Sequence, residues 1–294
     1  MSFLSHVHCQ TARMRNARVA VVLMALTAAC SADPRAAPTT LPSTSTSSAT
    51  NATTSTTSTT VAPALDDCQQ IATAVAHADA TQVVVVTVSE ATASTGTLQV
   101  AQLGTQGWQC TAVMTARLGK KGVRPLSDRR SGDGTTPAGV FPLGTMTAWD
   151  GEVFSFFGNS ADPGVSAGGY RRVRAGDCFG ATPNDADYGH LVRRSAGECP
   201  GPDDEYLPAV RGAYEHAALI GANMEPDVSG DAAGETPYAA AIFLHRFSYD
   251  ATGASRPTAG CVSLAHDDLL AVLRALRPGV LFAIGTKDWL LANA

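Results

Sequence analysis

Residues 82–88 read Q-V-V-V-V-T-V, five valines and a threonine in seven positions. Branching at Cβ stiffens these side chains and suits them to a pleated strand, and seven residues is strand length rather than helix length. Working outward, residues 97–103 and 108–114 read as further strands behind glycine-bearing turns. Residues 139–141 and 152–157 are shorter strand candidates, and S-G-D-G-T-T at 131–136 is turn chemistry. On the N-terminal side, residues 66–78 suit a short helix. Residues 238–245, Y-A-A-A-I-F-L-H, read as a buried strand ending in a histidine, and 280–285 as a closing strand. Between these two strands, 265–276 is amphipathic, with Leu269, Leu270, Val272, Leu273 and Leu276 forming one apolar stripe. Asp267 and Asp268 sit where the positive end of that helix favours them, and Pro278-Gly279 stop it. Near-helical spacing of Val210, Tyr214, Ala217, Ala218 and Ile220 predicts another helix over 208–223. The rest of 158–237 is rich in Gly, Asp and Pro with little periodicity, which marks a loop-rich insertion. Strands dominate and no strand–helix alternation runs through the chain. The expected fold is therefore a mainly β sandwich with a few helices.

The chain has 294 residues and a formal charge of −5, with 21 Lys+Arg against 26 Asp+Glu. At 45% hydrophobic and 16% charged it is not a highly charged disordered chain, and its acidity argues against nucleic acid as a partner. Residues 13–30 read R-M-R-N-A-R-V-A-V-V-L-M-A-L-T-A-A-C: a basic flank, a short apolar core and small residues. The apolar run is too short to span a bilayer as a mature helix, so 1–30 reads as a signal peptide, with Met1 or Met14 as its start. Its end, Leu26 to Cys30, resembles a bacterial lipobox, which would put a lipid anchor on Cys30 and tether the protein to the membrane. Residues 31–65 then form a linker: 28 of the 33 residues from 31 to 63 are Ser, Thr, Ala or Pro. Such a composition cannot bury enough apolar surface to offset its ordering entropy. The folded part, 66–294, is expected outside the cytoplasmic membrane.

Cysteine usage agrees with export. Of seven cysteines, Cys9 and Cys30 lie in the leader, which leaves Cys68, Cys110, Cys178, Cys199 and Cys261. Five in an oxidising compartment means two bridges and a free thiol. Pairing nearest neighbours along the chain gives Cys68–Cys110 and Cys178–Cys199, with Cys261 free.

The free thiol has a suggestive neighbourhood. His245 ends a strand, and sixteen residues later comes P-T-A-G-C-V-S-L, residues 257–264, with Cys261 expected just before a helix. A hairpin-like path between them would place an imidazole beside the thiol, and imidazole and helix N-terminus together would favour the nucleophilic thiolate. Gly260 would let the backbone turn there, and the Gly260 and Cys261 amides could meet an oxyanion. The plainer readings are a buried inert thiol and a core histidine. A zinc site from Cys261, His245 and His266 lacks the paired ligand spacing that makes such assignments strong, so no metal is expected.

Residues 240–285, A-A-I-F-L-H-R through R-P-T-A-G-C-V-S-L to P-G-V-L-F-A-I-G, resemble the catalytic core of bacterial L,D-transpeptidases, the YkuD-type domain. G-D-G-T-T-P-A-G-V-F at 132–141 and the stretch from Tyr170 to Tyr188 resemble the same family, so the resemblance covers roughly 82–287. It implies a YkuD-like β-sandwich with a helix after the nucleophile. Cys261 would be the nucleophile, His245 the general base and acid, Gly260 an oxyanion-hole amide and Thr258 a supporting hydroxyl. The family commonly has His where this chain has Ala259, and Arg where it has Ser263. The substrate carboxylate would then fall to another arginine, with Arg246, Arg256, Arg171 and Arg172 as candidates.

The implied chemistry is acyl transfer without a cofactor. Cys261 attacks a peptidoglycan stem-peptide carbonyl, D-alanine leaves, and the thioester passes to an amine to make a cell-wall cross-link. Two alternatives stand beside it: an L,D-carboxypeptidase on the same Cys–His pair, in which water takes the acyl group, and a catalytically inactive peptidoglycan-binding lipoprotein, motivated by the missing His and Arg.

Overall fold

A computed structural model describes residues 66–77, 79–195, 199–224, 228–229 and 238–294. The signal, the lipobox-like Cys30 and the linker lie outside these residues. The chain enters through α1 (Asp67–Val75), then β1 (Gln82–Val88), β2 (Thr95–Gly104), β3 (Gly107–Cys110) and β4 (Met114–Arg117). Next come β5 (Val123–Pro125), β6 (Thr136–Pro142), the short pair β7 (Met146–Thr147) and β8 (Val153–Phe154), and β9 (Phe156–Gly158). The irregular middle holds β10 (Tyr170–Arg172), β11 (Asp177–Phe179), β12 (Leu191–Arg193), β13 (Glu205–Tyr206) and β14 (Ala217–Leu219). β15 (Phe243–Arg246), β16 (Val262–Leu264), α2 (His266–Ala275), β17 (Leu281–Thr286) and α3 (Lys287–Ala292) complete it.

Twelve strands form one mixed sheet, ordered β10-β9-β14-β15-β16-β4-β2-β1-β17-β6-β5, with β3 also paired to β2. β1 is an interior strand of it, parallel to β17 and antiparallel to β2. Its unbroken valines reflect burial on both faces. Val84, Val86 and Val88 enter one core with Leu269, Val272 and Leu273 of α2. Val83 and Val85 enter a second core with Ile71 and Ala72 of α1 and Leu290 of α3. Each such side chain taken fully out of water contributes about 1.5–3 kcal/mol. The first core also takes Ala218, Leu244 and Val262 from the far arm of the sheet, so the sheet curls over its own inner face. This is the mainly β sandwich with a few helices that the sequence predicts.

The outer face of that far arm is not left bare. Strand alternation turns Ala217, Leu219 and Phe243 away from Ala218 and Leu244. They pack against Phe154, Phe179, Leu191, Leu207 and Tyr214 in a third core. The described parts of 158–237 around Phe179, Leu191, Leu207 and Tyr214 therefore cover the outer face, and β11, β12 and β13 form a small sheet of their own there.

Several elements differ from expectation. Residues 208–223 are not a helix: two 3-10 turns, Leu207–Ala209 and Ala213–Glu215, lead into β14. β14 takes up main-chain pairing with β9 and β15, and that pairing overrides the helical spacing. The 108–114 run breaks between Cys110 and Met114, and 152–157 divides into β8 and β9. The strand over 238–245 begins only at Phe243, because Ala241 adopts a left-handed backbone with φ 52°. The start of α1 is as its sequence implies. Asp66 and Gln69 cap each other, with Gln69 N–H donating to Asp66 Oδ1 at 2.8 Å and Asp66 N–H to Gln69 Oε1 at 3.0 Å.

Cys68 is bonded to Cys110 and Cys178 to Cys199, and Cys261 is free and buried, as nearest-neighbour pairing predicts. The first bond ties α1 to β3. The two bonds mark an oxidising, extracellular or periplasmic compartment. Among the described residues no helix is long and apolar enough to cross a membrane.

Candidate active site

The site sits where β15 and β16 run side by side. They are parallel, with Leu244 opposite Val262 and His245 opposite Ser263, so the connection between them is not the hairpin expected from the sequence. Cys261 does not precede a helix directly either. It leads into β16, and α2 begins at His266. The dipole of α2 thus does not act on the sulfur as expected, since that effect fades beyond the first turn.

The P-T-A-G-C turn is held by its own hydroxyl. Thr258 Oγ1 donates to Cys261 O at 2.6 Å and accepts from Gly260 N–H at 3.1 Å. The Gly260 amide is therefore engaged by Thr258 rather than open to an oxyanion. Residues 132–141 come to the same place: Thr136 Oγ1 donates to Cys261 O at 3.4 Å and accepts from Gly119 N–H at 2.8 Å. Space at Gly260 is tight. A Cβ there would meet Thr135 O at 3.1 Å and the Arg129 guanidinium at 3.4 Å.

Cys261 is 8% exposed and belongs to the outer-face core. Its thiol donates to Ala241 O at 3.1 Å, and the sulfur accepts from Phe243 N–H at 3.4 Å. The strained Ala241 backbone therefore presents its carbonyl to the nucleophile candidate. Burial, and then the negative charge of Glu205, push the thiol up to about 12, against the lowering effects of Phe243 N–H and Arg129. At neutral pH the resting group is a thiol.

His245 shares the outer face with Phe243, two residues away. Its Nδ1 lies 2.7 Å from Arg246 O. A carbonyl can only accept, so Nδ1 carries the proton and Nε2 is the basic nitrogen. Burial holds the ring down at about 4, so it is neutral near pH 7. The ring meets Tyr214 edge-on at 5.4 Å, and Tyr214 meets Phe243 at 5.6 Å. The sulfur and the imidazole are not hydrogen-bonded to each other; their partners are those just given. Cys261, His245 and His266 do not converge as metal ligands. Among the described residues the grouping that does is Asp66, Cys68 and Cys110, whose two sulfurs are already bonded to each other.

A cavity of about 140 Å³ opens at Cys261, lined among others by Arg129, Ser131, Asp203, Glu205 and Gly260. Two of these were not legible as site residues. Arg129 is 2% exposed and donates to Tyr238 O at 2.8 Å, while its Nε has no partner. The signal available for it was its place just before the G-D-G-T-T-P stretch. Glu205 accepts a hydrogen bond from buried Tyr214, and burial pushes its carboxyl up to about 7. Nothing in the irregular segment around Glu205 pointed to it.

The arginines proposed from sequence fall elsewhere. Arg171 is 1% exposed and locked into a carboxylate cluster: two contacts to Asp177 at 2.7 and 3.1 Å, Asp150 at 2.9 Å and Glu152 at 2.7 Å. A guanidinium so fully paired has nothing left for a substrate, so Arg171 is structural. Arg246 pairs with Glu215 at 2.6 Å, and neither it nor the exposed Arg256 and Arg172 lines the cavity.

His245 and Glu205 impose opposite pH dependences on stability. His245, depressed from 6.5 to about 4, makes the fold more stable as pH rises from 4 to 6.5, because the unfolded chain then binds more protons. Glu205, raised from 4.5 to about 7, makes it less stable as pH rises through that interval, by the reverse argument. Each effect is worth about 3 kcal/mol, so the two nearly cancel. Denaturant titrations at pH 4.5 and 7 are expected to show His245→Asn losing stability toward pH 7 and Glu205→Gln gaining it. Slopes equal to the parent's in both variants would contradict the assignment.

No family model, curated protein or solved structure matches this chain.

Proposed function

We propose that the protein is a cysteine acyltransferase acting on peptidoglycan stem peptides, of the L,D-transpeptidase type, outside the cytoplasmic membrane and tethered there through a lipid on Cys30. The observation that carries the reading is the unbridged Cys261 opening into a cavity, on the strand-end His and Gly-Cys framework that resembles that family. The Cys261 sulfur attacks the carbonyl of the stem peptide's third residue. Its proton passes to Nε2 of His245, which the Arg246 carbonyl leaves free to accept it. The Cys261 N–H, with that of Gly260 once Thr258 releases it, faces the oxyanion. The proton then goes to the departing D-alanine amine; a second stem's amine attacks the thioester and takes the acyl group as the C–S bond breaks, its proton passing through His245 to the Cys261 sulfur. Because thiol and imidazole are both neutral at rest, the proton moves as the S–C bond forms, without a standing ion pair.

The test is incubation with purified stem tetrapeptide and mass analysis of the products. Cross-linked dimers support transfer, and trimmed tripeptide alone indicates the carboxypeptidase. A second reading, a peptidoglycan-binding domain without chemistry, is favoured by the buried, protonated thiol. It predicts bound but unaltered peptide.

A further inference from the structure

We infer that the cavity at Cys261 is a carboxylate-binding site whose cation is Arg129. Among the described residues lining it, Arg129 is the one cation. Its guanidinium packs against Gly260, with a terminal nitrogen 3.4 Å from where a Cβ at that position would stand, so the positive charge sits one residue from the sulfur. That charge is under-compensated. The nearest carboxylate, Asp133, is 3.8 Å away, and it also accepts from the Thr135 N–H at 2.8 Å and the Thr135 hydroxyl at 2.6 Å. One terminal nitrogen is held by Tyr238 O, and Nε is buried with no partner. A buried, incompletely paired guanidinium at the wall of a cavity is a costly arrangement unless an anion completes it. Planar paired donors match a carboxylate better than any other common anionic group of a peptide. The two acids of the lining do not duplicate this role: Asp203 is exposed, and Glu205 is engaged by Tyr214.

This deepens the acyl-transfer reading, in which the donor ends in a free carboxylate close to the bond that breaks. Arg129 takes the place that Arg171, Arg246 and Arg256 were expected to fill, as a positioning residue rather than as part of the bond-making chemistry.

The test uses two alkylating agents of similar size on the full chain: iodoacetate, which carries a carboxylate, and the neutral iodoacetamide. In each, the Cys261 sulfur forms a C–S bond, iodide leaves and the thiol proton goes to solvent; peptide mass mapping separates Cys261 from the other cysteines. The iodoacetate-to-iodoacetamide rate ratio at Cys261 is expected to exceed that of glutathione in the same buffer by about tenfold or more. Arg129→Gln should bring the ratio down to the glutathione value, and Arg129→Lys should keep part of it. Should the Gln variant not fold, the parent ratio and the Lys variant decide. A parent ratio equal to that of glutathione would overturn the inference, as would a Gln variant that keeps the preference or a folded protein in which neither reagent reaches Cys261. Loss of the charge preference in a protein that still forms cross-links would defeat this inference alone, whereas failure to turn over stem peptides with the preference intact would defeat the acyl-transfer reading alone.

Discussion

Replacing Cys261 by Ala is expected to remove turnover of stem peptides by a factor of about 10⁴ or more, with the fold intact. In the proposed mechanism the acyl group is carried on this sulfur, and no other described thiol is free to substitute, since the remaining four described cysteines are bonded in pairs. The structural cost is small. The side chain is only slightly smaller, and the hydrogen bonds lost are the weak ones of sulfur with Ala241 O and Phe243 N–H. A loss of about 1 kcal/mol is expected, readable as a modest fall in Tm. Residual cross-linking near the parent rate would remove Cys261 from the mechanism.

The largest expected effect on stability comes from Arg171, which the sequence places among substrate-binding candidates and the structure places in the protein interior. Arg171→Met removes the bidentate partner of Asp177, a carboxylate with no exposed surface. Asp177 keeps hydrogen bonds from Trp149 Nε1 at 2.8 Å and Arg174 N–H at 2.9 Å, but its charge loses the cation that balances it. Asp150 and Glu152 also lose their buried partner and retain the exposed Arg174. Breaking one side of a buried ion pair costs about 3–5 kcal/mol, a large share of a domain's total stability. Adding Asp177→Leu should recover much of that loss, because removing both buried charges is far less costly than stranding one. A single variant within 1 kcal/mol of the parent, or a double variant no better than the single, would show that the cluster is not held together in this way. In preparations that remain folded, the Arg171 variant should bind stem peptide with unchanged affinity.

Legibility of the fold tracked how local each determinant is. The valine run of β1 and the stripe of α2 carry their structure in short-range pattern, and each forms where expected. The disulfides were legible because the paired cysteines are also neighbours along the chain. The 208–223 segment misled because Ala217, Ala218 and Leu219 favour a helix locally, and main-chain pairing with β15 overrides that preference. The parallel β15–β16 pair could not be seen from 246–261, since the length of a connection does not fix the direction in which the chain returns. In the site, Cys261, His245, Thr258 and Gly260 were visible as residue types in a specific order. Arg129 and Glu205 were not, because they reach the cavity from remote parts of the chain and are set apart by burial, which no single residue type reveals.

The most direct measurement is the intact mass of the protein, quenched in acid during turnover of stem tetrapeptide and then mapped by peptide digestion. The acyl-transfer mechanism predicts an adduct of the donor lacking its terminal D-alanine, on Cys261, labile to hydroxylamine as a thioester is and absent from Cys261→Ala. Product formed while the protein mass stays unmodified, or an adduct mapped to another residue, would contradict it.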